Sequence, residues 1–156
     1  MVTIRQLRGF TIIELMGVIG IMAILVTIAA PNFIQLLKNQ RVKTASFDVF
    51  SSLVVARSEA LTRNATVTVT PASGTTNWAN GWQVKTGSTV LRSQDPTPGV
   101  TITGPTSITY TGTGRLSATL SSGIELKPIG ASAGVTSRCI TVDLSGRPLT
   151  KATTCS

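Results

Sequence analysis

Arg8-Gly9-Phe10-Thr11-Ile12-Ile13-Glu14-Leu15 leads into an apolar run, Phe10 to Ala30, that holds a single ionisable residue, Glu14. At about 1.5 Å of rise per residue, residues 10–30 make a helix of roughly 30 Å, the thickness of a bilayer's hydrocarbon core. A membrane-spanning or filament-core helix is therefore predicted over 10–30. Arg5 and Arg8 precede it, so the start of the chain stays on the cytoplasmic side and the bulk of the chain lies beyond the membrane. A carboxylate inside an apolar helix costs several kcal/mol unless a partner neutralises it, which makes Glu14 a candidate functional residue. An ordinary secretory signal places a small-residue cleavage site after its apolar region. Here that position reads Ala29-Ala30-Pro31-Asn32-Phe33, with a proline at the cut and a helical pattern running on beyond it, so removal of the whole segment is not expected.

Pro31 lacks a backbone N–H and crowds the carbonyl one turn earlier, so it should kink the helix without ending it. Beyond it Phe33, Leu36, Leu37, Val42, Ala45, Val49, Phe50, Leu53, Ala56, Ala60 and Leu61 recur at three- and four-residue steps among Lys38, Arg41, Lys43, Asp48 and Arg57. That is an amphipathic continuation over 31–63 that should pack one face on a sheet. Gly17 and Gly20 would let neighbouring helices approach closely.

After Asn64 the texture turns to Thr, Ser, Gly and Val in short alternating runs. Strands are predicted at Thr66–Thr70, Gly81–Lys85, Val90–Arg92, Thr101–Thr103, Ile108–Tyr110, Ile124–Leu126 and Cys139–Leu144, forming a mostly antiparallel sheet in a β-rich domain over 64–156. Asn80-Gly81 suits a tight turn. Trp78 and Trp82 on either side of it read as core rather than as a ligand platform. The fold class is thus α+β, a long amino-terminal helix packed on antiparallel sheet.

Cys139 and Cys155 are the only cysteines, without CxxC or CxxH spacing, and the chain has no His. In a segment exported from the cytoplasm the favoured reading is a structural disulfide rather than two free thiols. The formal charge is +8, from 14 Lys and Arg against 6 Asp and Glu. It is spread along the chain, which permits contact with nucleic acid or anionic lipid without demanding either. Without His, and with scattered carboxylates and paired cysteines, no catalytic constellation, metal site or cofactor is expected. Gly112-Thr113-Gly114-Arg115 lacks the strand-to-helix setting of a nucleotide loop.

The stretch from Arg8 to Leu15 resembles the class III signal of type IV prepilins and type II secretion pseudopilins. The resemblance implies that a prepilin peptidase cuts between Gly9 and Phe10, so that 1–9 is a leader, and methylates the new amino terminus at Phe10. It places Glu14 and Pro31 where that family carries its assembly glutamate and its helix-kinking proline. Glu14 would pair with the amino terminus of a neighbouring subunit during assembly. Ala56-Arg57-Ser58-Glu59-Ala60-Leu61-Thr62-Arg63-Asn64, Val67-Thr68-Val69, Gly81-Trp82-Gln83-Val84, Gly114-Arg115 and Gly146-Arg147-Pro148 are similar to the GspH/FimT class of minor pilins and pseudopilins. What this implies is a pilin-like subunit in the bacterial inner membrane, single-pass with its domain in the periplasm, that assembles with other pilins, is not an enzyme, and ends in a pilus or pseudopilus. The terminal cysteine pair favours the FimU-like branch, which helps prime or cap type IV pili, over the H pseudopilin of type II secretion. A FimT-like reading would use Arg138, Arg147 and Lys151 on DNA phosphates, but Gly146-Arg147-Pro148-Leu149 has Leu where the DNA-binding motif carries a second arginine.

Overall fold

The computed structural model describes residues 10–130 and 134–155, except for the side chains of Ala29 and Pro31. The leader expected over 1–9, including Gly9, lies outside the described residues. The chain divides into two compact units, 1–36 and 37–156, with one helix, α1 (Ile12–Arg63), running from the first into the second. The helix is assigned through Pro31, so the proline does not end it.

In the second unit α1 buries Val42, Ala45, Val49, Leu53, Ala56 and Ala60 to 1% exposure or less. Their steps of three and four put them on one face of the helix. The buried row is narrower than the sequence periodicity suggested. Leu37 and Leu61 are exposed and Phe50 is half-buried, and in the first unit Phe33 and Leu36 are exposed as well. Three- and four-residue steps tolerate two neighbouring stripes, and only the stripe containing the small residues Ala45, Ala56 and Ala60 is fully buried. The helix stops at Asn64, whose φ is +47°. Its N–H bonds the Leu61 carbonyl at 3.3 Å, and the Ala65 N–H reaches the Ala60 carbonyl at 3.2 Å. This is the pair of bonds that closes a helix with a left-handed residue after its last turn.

Among the described residues eight strands follow: β1 (Val67–Pro71), β2 (Trp82–Thr86), β3 (Thr89–Gln94), β4 (Val100–Thr103), β5 (Ile108–Tyr110), β6 (Ile124–Pro128), β7 (Arg138–Val142) and β8 (Pro148–Lys151). They form two four-stranded sheets, ordered β3-β2-β1-β5 and β4-β6-β7-β8, and every pairing is antiparallel. The single expected sheet is therefore two, and the expected Cys139–Leu144 strand ends at Val142. Alternating burial identifies a strand but not its partner. The strand β8 is not among the strands expected from the sequence, since proline is depleted in strands. Pro148 is tolerated there because it is the first residue of an edge strand, where a missing N–H removes no ladder bond.

One core cluster joins the α1 row to Val67, Val69, Trp82, Val84, Ile108 and Tyr110 of the first sheet and to Val100, Ile102, Ile124, Leu126, Ile140 and Val142 of the second. Trp78 and Trp82 are buried in it, 6.1 Å apart at 42°, with Trp78 Nε1–H donating to the Pro105 carbonyl at 2.9 Å. Asn39 holds the loop before β7 to the helix. Its Nδ2 donates to the Gly134 carbonyl at 3.3 Å, and its Oδ1 accepts the Thr136 N–H at 3.2 Å.

Candidate functional site

The amino-terminal end of α1 is capped by Thr11, whose Oγ1 accepts the Glu14 N–H at 3.3 Å, while its carbonyl accepts the Leu15 N–H at 3.1 Å. The cap satisfies donors that the first helical turn leaves without intrahelical partners. Thr11-x-x-Glu14 is also the spacing of a capping box, a local signal that the family resemblance of Glu14 overshadows in the sequence. Glu14 stands in the first turn, where the helix dipole favours a carboxylate, and it is exposed. Behind it, the large apolar side chains from Phe10 to Ile28 are 48% to 81% exposed, on all sides of the helix. Gly17 and Gly20 have no heavy atom within 4 Å of the point where a Cβ would stand. The hydroxyl of Thr27 is satisfied locally by the Ile24 carbonyl at 2.7 Å, as an apolar surrounding requires. No single helix among the described residues is long and apolar enough to cross a membrane. Ile12–Ile28 and Asn32–Arg63 together meet that condition by length and composition.

At the far end of the chain, Cys139 of β7 is joined to Cys155, their Cα atoms 5.1 Å apart. Gly123 forms the seat of this disulfide: a Cβ there would stand 2.8 Å from the Cys155 sulfur and 2.9 Å from that of Cys139. The bond ties the tail behind β8 back to the second sheet.

The Gly-Arg pairs singled out in the sequence meet at a junction. Gly146 has φ +81° and a Cβ there would collide with the Gly114 carbonyl, so the two backbones pass too closely for any side chain. That same carbonyl accepts Arg57 Nε–H at 3.0 Å, and the Leu116 N–H bonds the Leu144 carbonyl at 3.3 Å. The β5–β6 connection, the β7–β8 turn and α1 are thus fastened at one point. Asp143 closes the turn, its Oδ1 accepting Ser145 Oγ–H at 2.5 Å and the Arg147 N–H at 2.9 Å. These two bonds, the serine's first, hold its carboxyl below the usual carboxylate range. Burial pushes the Tyr110 hydroxyl up, with Arg57 acting in the opposite sense.

The candidate DNA contacts are not gathered into one patch. Ile140 pairs with Thr150 and Cys139 with Lys151, so Arg138 shares the Thr150 face, which fronts α1 through Lys43 and Phe47. By strand alternation Lys151 and Leu149 lie on the opposite face, and Arg147 sits at the turn before them with its backbone N–H engaged by Asp143. Among the described residues no group of His, Cys, Asp or Glu could hold a metal ion.

A family model described as Prokaryotic N-terminal methylation motif matches residues 4–30, and one described as Type II transport protein GspH matches residues 46–146. The first implies processing by prepilin peptidase and fits an inner-membrane-anchored pilin. No curated protein sequence matches the chain. Among solved structures, a crystal form of the type IV minor pilin FimU of Pseudomonas aeruginosa has a TM-score of 0.64 at 17% identity, covering 74% of this chain and 92% of that one. A second crystal form of FimU gives 0.61 at 19%, covering 70% and 91%. At these identities the likeness is one of fold, a long helix on antiparallel sheets. The match over 46–146 takes in more than half of the chain, and the chain therefore belongs to the GspH family of type II secretion and type IV pilus minor-pilin-like proteins, which are structural subunits and not enzymes.

Proposed function

We propose that the chain is a minor pilin that assembles into a type IV pilus and primes or caps it. The observation that carries the reading is the first unit. A helix apolar on every side, with its large side chains exposed, opens on one carboxylate, Glu14, within the stretch that matches a methylation motif. Such a surface needs a lipid bilayer before assembly and the helices of other subunits after it. In this reading 1–9 is the leader, cleavage falls between Gly9 and Phe10, and residues 10–30 span the membrane. Pro31 kinks the helix at the start of its amphipathic part, 31–63, and 64–156 is the periplasmic domain. Glu14 pairs with the N-methylated amino group of Phe10 on a neighbouring subunit, neutralising the one charge in the segment. The FimU-like fold and the tail fixed by Cys139–Cys155 support the pilus over the secretion pseudopilus.

The GspH description of the matching family favours a second reading, an H-type minor pseudopilin of type II secretion. Deleting the gene separates the two: loss of surface pili with normal protein secretion is expected, and loss of secretion with intact pili would replace the first reading by the second. The intact mass of the membrane form should correspond to a chain beginning at N-methyl-phenylalanine and gaining two hydrogens on reduction. A chain that keeps Met1 in cells with an active prepilin peptidase would defeat both readings. A FimT-like role in DNA uptake has less support, because Arg138 is turned from Lys151 across the strand pair and Leu149 stands where a second arginine is wanted.

A further inference from the structure

In the second unit α1 carries an apolar row outside the buried core cluster, its far end, Leu61, lying against Gly114 of the β5–β6 connection. Phe47, Val54 and Leu61 are seven residues apart and 68%, 43% and 50% exposed. Seven-residue spacing keeps apolar side chains along one seam and is the spacing on which a second helix lies. Beside Phe47 the row opens into a groove of about 350 Å³ lined by Lys43, Ser46, Phe47, Phe50, Arg138 and Thr150. The lining holds two cations and no carboxylate, and among the described residues neither Lys43 nor Arg138 forms an ion pair.

We propose that this groove receives an acidic, amphipathic helix from a neighbouring filament subunit of different sequence, a proposal that rests on the filament-subunit reading above. Phe47 is the anchor: an exposed aromatic ring at the mouth of a concave apolar surface is the kind of residue on which binding energy concentrates once a partner excludes water. Lys43 from α1 and Arg138 from β7 both line the groove beside Phe47, so carboxylates flanking the partner's apolar stripe would meet a cation from each element. Charge decides against a second copy. The chain carries +8 overall and stays basic once Arg5 and Arg8 leave with the leader, and two copies meeting across this face would bring four cations together, which disfavours the complex and slows encounter. The seven-residue row decides for a helix over an extended segment.

The test uses the full processed chain in neutral detergent and a fluorescent three-heptad helical peptide with Leu at its a and d positions and Glu at e and g. A second peptide replaces each Glu by Lys. The Glu peptide should bind about tenfold or more tightly than the Lys peptide, a difference of roughly 1.4 kcal/mol or more. Phe47→Ser should abolish most of that binding. The pair Lys43→Glu with Arg138→Glu should exchange the preference, so that the Lys peptide binds better. Thermal unfolding of each variant, expected to match the wild type, shows that the surface changes leave the fold intact. The proposal is overturned by equal binding of both peptides, by no binding, or by binding that Phe47→Ser leaves unchanged. It is also overturned if Phe47→Cys cross-links the chain to itself in membranes, or if binding is to anionic vesicles in place of the peptide. Loss of pili on gene deletion is read separately, so the filament reading can fail while the groove stands.

Discussion

One helix serves two environments, and its halves show what each requires. Between Phe10 and Ile28 large apolar side chains are exposed on every side, while between Val42 and Ala60 a single row is buried and the outer positions mix polar residues with the exposed Phe47 and Val54. The second half finds its solvent-free surface inside the chain, against two sheets. The first half has to find it elsewhere. Apolar content is therefore a poor guide to where a helix belongs, and the angular distribution of that content is a good one. The same division separates the roles of single residues: substitutions in 10–28 should alter assembly and leave the domain folded, and those in 42–60 should do the reverse.

The largest effect expected is from Glu14→Ala. On the pairing proposed above, removing the only charge of the apolar segment would leave a neighbour's amino terminus without its partner, so assembled subunit recovered in sheared filaments should fall on the order of tenfold or more. The unfolding temperature of the second unit should not move, since Glu14 is not one of the residues of its core cluster. Normal filament yield would remove the pairing role from Glu14 and leave it as a capping residue of the Thr11 turn. The converse substitution is Leu53→Ala, which empties a fully buried position and should cost about 2–5 kcal/mol. In a domain whose whole stability is on the order of 5–15 kcal/mol, that lowers the unfolding temperature by about 10 °C or more. A shift of only a degree or two would mean that the face of α1 is not the keystone of the core.

Much of this contrast is legible in the amino-acid sequence. The run from Phe10 to Ala30, the three- and four-residue steps beyond it, the stop at Asn64 and seven of the eight strands follow from local chemistry, because each is written in contiguous residues. Three features are not contiguous and escape a reading along the chain. The division into two sheets depends on β5 returning to β1, the identity of β8 depends on pairing with β7, and the outward row of Phe47, Val54 and Leu61 differs from the buried row only by which side the sheets occupy. The Gly-Arg pairs are legible as a family resemblance but not as a junction, since Gly114 and Gly146 meet only in the folded chain. The Cys139–Cys155 bond is legible from composition and compartment, whereas its seat on Gly123 is not.

That disulfide gives the next effect in size. It closes a loop with a sequence separation of 16, for which the chain-entropy account gives roughly 3 kcal/mol. Cys139→Ser with Cys155→Ser should therefore lower domain stability by about that amount in denaturant titration while leaving Glu14-dependent assembly in place. If the double variant instead loses filament assembly at unchanged stability, the tied tail is a contact surface rather than a staple, and the separation of roles between the two halves of the molecule has to be redrawn.

The smallest effect tests the β7–β8 turn, where a single exposed carboxylate holds the junction. Hydrogen bonds from Ser145 and Arg147 to Asp143 keep its carboxyl below the ordinary range in the folded state. A group whose folded-state pKa is depressed binds its proton more readily when unfolded, so its contribution is present above the unfolded value, about 4, and is lost as pH falls through the folded one. Asp143→Asn retains an acceptor oxygen but removes the charge. Between pH 7 and 5 the wild type should hold a small, constant advantage in unfolding temperature over the variant, and below pH 4 that advantage should shrink toward zero. The two proteins differ only at this position, so the difference between the two curves isolates the charge on Asp143. A gap that stays constant down to pH 3 would show that the bonds to Ser145 and Arg147 act through geometry alone and that the charge on Asp143 contributes nothing to the turn.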